Sequence, residues 1–511
     1  ARRQRQMCIR DRGYSGNATA LYIPGEIDGH EVVAIGDRAF ENRTDLRTVM
    51  IPDSVTEMGG YAFNNCTNLS NVTLSKNLES MGSSAFGNCD GLTQIEIPKS
   101  LDIGGNYYLG AFSDCANIKK VTFERGTTKI ASSLFCGCTG IEKIDIPDTV
   151  TIIQDYAFKE CKNLSTVNIP ESVTEIGSKA FYECISLSNV NIPDSVTKIG
   201  GYAFYQCKNL VNVTLSKNLE KMDCNAFGNC DGLTQIEIPK SLDVGGDYYS
   251  GAFADCANLK KVTFERGTTK IASSLLCGCT GIEKIDIPDT VTVIQDYAFK
   301  ECKNLSTVNI PENVTEIGSK AFNECISLSN VNIPDSVTKI GGYAFYQCKN
   351  LVNVTLSKNL EKMDCNAFGN CDGLTQIEIP KSLDVGGDYY SGAFADCANL
   401  KKVTFERGTT KIASNLLCGC TGIEKIDIPD TVKVIQVCAF KECKNLSTVN
   451  IPDSVIEIEG WAFESCSVLT KIGIPNQTLS IAGAAFRNCT SLTDIHLSLI
   501  HISEPTRLLS I

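Results

Sequence analysis

Histidine is nearly missing from this chain: three occur in 511 residues, His30, His496 and His501. No Gly-x-Ser-x-Gly elbow, phosphate-binding glycine loop or His-Glu-x-x-His pair is present. Catalysis by any of these common devices is therefore excluded, and the expectation is a protein that is not an enzyme and carries no cofactor. Basic residues are also in deficit, with 47 Lys and Arg against 59 Asp and Glu and a net charge of −12. That balance argues against a nucleic-acid partner, which would call for a basic surface. No apolar run approaches the roughly eighteen residues of a membrane helix. A secretory signal with a basic start, apolar centre and small-residue cleavage site is likewise not visible.

What is abundant is repetition. An Ala-Phe step recurs from Phe40 to Phe486 and marks twenty units, with Leu276 and Leu417 standing in for Phe twice. Every step is 23 residues except three of 26, which end at Phe112, Phe253 and Phe394. Regular self-similarity of this length reads as a solenoid, in which each coil packs on its neighbours. A longer period lies above it: Phe63, Phe204 and Phe345 are 141 residues apart. The stretches Phe204 to Pro311 and Phe345 to Pro452 differ at four of 108 positions, so each local surface feature appears about three times.

The unit Ile169 to Asn191 shows how one coil is specified. Leu164, Val167 and Ile169 alternate as a short strand does, leaving Thr166 and Asn168 for the opposite face. Pro170 ends that strand, because it cannot donate to a ladder. Val173 and Ile176 turn inward, Gly177 permits a tight corner, and Ala180-Phe181 fills the coil centre. No segment has room for a ten-residue helix, so strands, corners and short 3₁₀ turns are expected. The first unit is irregular, with a polar insertion from Glu26 to Glu31 and Arg43 where the other nineteen have Cys. Such irregularity is expected of a terminal cap.

The pattern Ile-Pro-x-x-Val-x-x-Ile-Gly-x-x-Ala-Phe-x-x-Cys-x-x-Leu-x-x-Val-x-Ile resembles the BspA-type leucine-rich repeat. The resemblance covers about Gly13 to Leu497. It implies a β-rich, curved, right-handed solenoid with a parallel sheet on one face and short turns on the other. It also implies an adhesin-like protein, secreted or displayed at a cell surface, that binds protein or glycan on host matrix or another cell. Ser75, Glu124 and their counterparts depart from the pattern at the Pro position, as Leu275-Leu276 and Leu416-Leu417 do at Ala-Phe.

Of 26 cysteines, nineteen occupy one register three residues after the Phe position, from Cys66 to Cys489. Recurrence in nearly every coil points to small buried fillers forming a ladder. Cys136-Gly-Cys138 and its copies could hold a soft metal or form a small disulfide, yet no paired zinc motif accompanies them, and no metal site is expected. The outward sheet positions, Gln94/Glu96 through Asn212/Thr214, make a broad polar face that serves either solubility or binding. The three 26-residue units add Tyr107-Tyr108, Tyr248-Tyr249 and Tyr389-Tyr390, with Lys120, Lys261 and Lys402 about half a coil later. Tyrosine is enriched at binding hot spots, so these nine residues are the candidate ligand contacts. Coverage of the wider coil is the competing role for the Tyr pairs.

The ends differ in character from the array. Residues 1–12, containing Met7 to Arg12, and 498–511, containing Ser498 to Arg507, resemble translated sequencing-adapter text. The expected organisation is thus a single solenoid over 13–497, capped by 13–45, within a longer natural chain that carries its own signal and anchor. A stiff spacer that displays a further domain is the alternative to an adhesin.

Overall fold

A computed structural model of the chain describes residues 7–9, 18–101, 110–244, 251–385 and 392–497. The chain divides into two compact units, 1–259 and 260–511. Each is a parallel β-solenoid, and no helix occurs among the described residues.

In the first unit the alternation of small polar and β-branched residues yields three- and four-residue strands stacked in parallel. Lys143–Asp145, Thr166–Asn168, Asn189–Asn191 and Asn212–Thr214 form one four-stranded run, with Ile144 opposite Val167. Inward Ile144 and Val190 are buried, whereas Thr166, Asn168, Asn189 and Asn191 are exposed. A second, narrower ladder runs alongside. It is built of two-residue strands such as Ile152–Ile153, Glu175–Ile176 and Lys198–Ile199, with Ile153 opposite Ile176 and Ile176 opposite Ile199. A pair of residues is too short to show period-two alternation, so this ladder adds to the strand that the sequence pattern announces.

The Ala-Phe edge closes each coil. The Phe158 amide donates to the Ala180 carbonyl of the next coil at 2.8 Å, and Phe181 repeats the bond to Ala203 at 2.7 Å. Between these bonds, local turns bring Cys184 N to Phe181 O at 3.2 Å and Leu187 N to Cys184 O at 3.0 Å. In most coils two non-glycine residues hold left-handed backbone there, for example Lys179 (φ 55°) and Glu183 (φ 56°). Gly177 has no such backbone. A Cβ built on it would lie 2.6 Å from the Asp155 amide nitrogen, so glycine is required by the neighbouring coil's close approach. The corner is tight because of packing between coils, where the sequence pattern reads it as a matter of local flexibility.

The core is a column. The Phe rings of consecutive coils are fully buried and stacked, with centroids 5.4 Å apart for Phe158 and Phe181 and 5.1 Å for Phe181 and Phe204. The insertion from Glu26 to Glu31 is a β-hairpin: Glu26–Ile27 pairs antiparallel with His30–Ile35. Its turn residues, Asp28 (φ 52°) and Gly29 (φ 76°), both have the positive φ that a two-residue hairpin of this type needs.

The second unit repeats this plan. Lys284–Asp286, Thr307–Asn309, Asn330–Asn332 and Asn353–Thr355 make its first wide run, and Lys270–Ile271 through Asp384–Val385 its first narrow one. In both units the wide ladder breaks where the unit sequence changes. Its breaks include those after Asn71–Thr73 and Asn212–Thr214 in the first unit and after Asn353–Thr355 in the second. Ser75, Ser216 and Ser357 stand at the Pro position immediately beyond these strands.

Candidate functional site

The wide sheet face presents its alternate side chains to solvent in both units. In the first, Lys143 and Asp145 pair at 2.9 Å on one strand, with both side chains largely exposed. Asn212 Nδ2 donates to Asn189 Oδ1 at 2.7 Å, and Asn189 Nδ2 to Ser188 Oγ at 2.8 Å. The same arrangement joins Asn353, Asn330 and Ser329 in the second unit. These carboxamides keep further donor and acceptor capacity for a ligand, since each Asn offers two N–H bonds and one carbonyl.

Lys120, Lys261 and Lys402 each open a four-residue strand, Lys120–Phe123, Lys261–Phe264 and Lys402–Phe405, and all three are exposed on the sheet face. Lys120 lies opposite Gln94, and Lys402 opposite Gln376, so amine and carboxamide stand side by side. The six tyrosines of the 26-residue units, Tyr107, Tyr108, Tyr248, Tyr249, Tyr389 and Tyr390, lie outside the described residues.

Those tyrosines are one aromatic feature of the sequence outside the Ala-Phe column. A second is present at the Ala-Phe edge. Lys179 Nζ lies 5.3 Å from the ring centre of Tyr156, 5.5 Å from Tyr202 and 5.9 Å from Tyr182. Tyr205 stacks on Tyr182 at 5.4 Å and meets Tyr202 edge-on. In the second unit Lys320 sits over Tyr297 and Tyr343 at 5.3 and 5.5 Å. Its signal in sequence is Tyr or Lys two residues before or one after successive Phe positions. These rings and cations already engage one another, which makes the ridge a cation–π seam between coils.

The cysteine ladder is structural in its geometry. Cys184 Sγ donates to the Phe158 carbonyl at 3.2 Å, and Cys207 Sγ to Phe181 at 3.3 Å. Burial pushes the thiol of Cys66 up to about 12 and that of Cys136 to about 11, and it raises Cys184 further. A thiol held protonated is a poor nucleophile and a poor metal ligand. Cys138 spends its proton on the Phe112 carbonyl at 3.0 Å, so it belongs to the ladder. Among the described residues no group of three or more His, Cys, Asp or Glu side chains is placed to hold a metal ion, and no helix is long and apolar enough to cross a membrane.

A family model for the BspA type leucine rich repeat region matches residues 33–165, 128–249, 249–349, 315–436 and 410–505. The chain belongs to this family. Solved structures similar to this BspA-type chain include a leucine-rich repeat protein from Bacteroides ovatus, 21% identical, with 95% of this chain and 94% of that one covered and a TM-score of 0.49. A leucine rich cell surface protein from Faecalibacterium prausnitzii is 27% identical over 67% of this chain and 89% of its own, with a TM-score of 0.35. The pneumococcal vaccine antigen PcpA is 15% identical, with 96% and 91% covered and a TM-score of 0.32. No curated protein matches the chain significantly. As a BspA-type array, the chain is a leucine-rich-repeat solenoid and a repeat-protein binding module.

Proposed function

We propose that this BspA-type array is a non-enzymatic adhesin-like module, secreted or displayed at a cell surface, that binds protein or glycan on host matrix or a neighbouring cell. The observation that carries the reading is the wide sheet face, which repeats exposed short polar side chains coil after coil in both units. Such a face offers many weak hydrogen-bonding contacts in a row, and binding by several at once multiplies their effect. Lys120, Lys261 and Lys402 on that face, and the tyrosine pairs at 107–108, 248–249 and 389–390 of the longer units, are the proposed contacts.

The test is saturable binding of the purified chain to immobilised matrix proteins, a glycan array and whole cells. Changing Lys120, Lys261 and Lys402 together to Glu is expected to weaken binding about tenfold, as is changing the three Tyr pairs to Ala. Binding that both variants leave untouched removes these contacts from the proposal. A chain that binds nothing in any of the assays is a spacer, and the adhesin reading then falls.

A further inference from the structure

The second unit breaks its own repeat at two corners that stacking places on either side of a third. Successive coils carry Ser357, Pro380 and Glu406 at the position where most coils have Pro. Ser357 is fully buried, and its hydroxyl accepts the Asn359 amide at 3.1 Å. The neighbouring Lys358 amide is bound by Asp335 Oδ1 at 2.9 Å, which pins the corner to the preceding coil. Glu406 is pinned just as firmly. Its carboxylate accepts the Lys381 amide at 3.0 Å and the Lys381 ammonium at 3.1 Å.

Between these corners, where the wide ladder stops after Asn353–Thr355, lies a cleft of about 200 Å³. Val354, Leu356 and Pro380 supply apolar surface, and Thr355, Lys358 and Glu378 supply polar groups. The Lys358 ammonium and the Glu378 carboxylate make no ion pair among the described residues, although Lys358 is near enough to Glu406 to act on its charge. The cleft thus holds one unpaired cation and one unpaired anion beside a small apolar patch. In the first unit Lys76, Glu96, Pro98 and Glu124 stand at the same repeat positions. Glu124 accepts the Lys99 amide at 3.0 Å and lies 3.5 Å from its ammonium. Lys217, Glu237 and Pro239 recur at the intermediate copy.

We propose that this cleft is a peptide-binding site, seating one aliphatic side chain on Leu356 and Pro380 while Lys358 and Glu378 pair with an acidic and a basic residue flanking it. The volume selects a part of a ligand over a whole one, since sites for complete small molecules run to roughly 300–1,000 Å³. No aromatic ring lines the cleft to stack a sugar, and the two carboxylates disfavour a simple anion. Opposite free charges on adjacent coils set a polarity that only a dipolar segment satisfies, and like-charged flanks would place one charge against its own sign. The cleft shares Thr355 and Glu378 with the wide sheet face but contains none of Lys120, Lys261 and Lys402, so it can fail while binding through those lysines, and with it the adhesin reading, stands.

The test applies the whole chain, at low salt, to immobilised capped pentapeptides with Leu or Ala at the centre. The residues flanking that centre are Lys with Glu, Lys with Lys, Glu with Glu, or Gln with Gln. Leu peptides with Lys and Glu flanks are expected to be retained about tenfold better than the Ala or Gln-flanked ones. Changing Lys76, Lys217 and Lys358 to Gln, and Glu96, Glu237 and Glu378 to Gln, is expected to reduce that preference to within about twofold. These six side chains are exposed, and circular dichroism checks that the fold is retained. Six further Gln changes, one each at the exposed Lys143, Asp145, Lys284, Asp286, Lys425 and Asp427, control for surface charge and are expected to keep the preference. The proposal is overturned by a wild-type chain without the preference, by a cleft variant that retains it, or by a control that loses it equally.

Discussion

Cys184 and Gly177 show how strongly a neighbouring coil acts on a single residue. The Cys184 thiol is fully buried and bonded to Phe158 O, so Cys184→Ala removes both a bond and packed volume. It is expected to lower stability by about 1–2 kcal/mol, measured by urea unfolding. Because burial raises the thiols of Cys184 and Cys207, their thiolate fraction at pH 8 is negligible. Among the cysteines of the array, alkylation at that pH is expected to reach the half-buried Cys224, Cys365 and Cys489 first, and Cys184 and Cys207 only after unfolding. Mass spectrometry of the labelled chain checks the order. Gly177→Ala would press a methyl group to 2.5 Å from Asp155 Oδ1 and is expected to cost about 1–3 kcal/mol.

Strands and corners were unequally legible. The alternation in Thr166, Val167 and Asn168 announced the wide ladder, because exposed and buried sides differ in chemistry at a period of two. Glu175–Ile176 is too short for any pattern, and its pairing depends on the coils above and below. The hairpin at Glu26 to Glu31 shows in composition only as a polar insertion, although Asp28-Gly29 is a recognisable hairpin turn. The cleft was less legible still. Ser75 and Glu124 show in the sequence as single departures at the Pro position, but their joint effect needs three coils in register. At these corners the Lys99 and Lys381 amides hold Glu124 and Glu406 below the ordinary carboxylate range. With the folded value lowered, this stabilisation is present above the unfolded value and is lost as the pH falls below about 4. Wild type and Glu406→Gln are therefore expected to differ in unfolding midpoint at pH 7 and to converge in acid.

Within each unit, stability should be shared between neighbours and decay along the stack. Phe181 is fully buried between Phe158 and Phe204, so Phe181→Ala is expected to cost about 3–5 kcal/mol. Phe181→Leu should cost far less, since Leu276 and Leu417 occupy the same position and are fully buried. Hydrogen exchange in Phe181→Ala is expected to accelerate in the coils beside it while the amides around Phe63 keep wild-type protection. Uniform acceleration throughout the first unit would contradict nearest-neighbour coupling.

Period and composition suffice for the solenoid, its core residues and the structural role of the cysteines, because hydrophobic burial acts on side-chain identity repeated at a fixed interval. The residue pattern within each unit carries the resemblance to the BspA-type repeat, which the family match over the array bears out. Period and composition do not say why Gly177 is glycine, that Lys179 lies among Tyr156, Tyr182 and Tyr202, or that Lys358 and Glu378 are left unpaired beside Leu356 and Pro380. Those facts arise between coils, from residues about 23 positions apart. Stacking distance, side-chain direction and the exact neighbours of each charge exist only once the coils are packed.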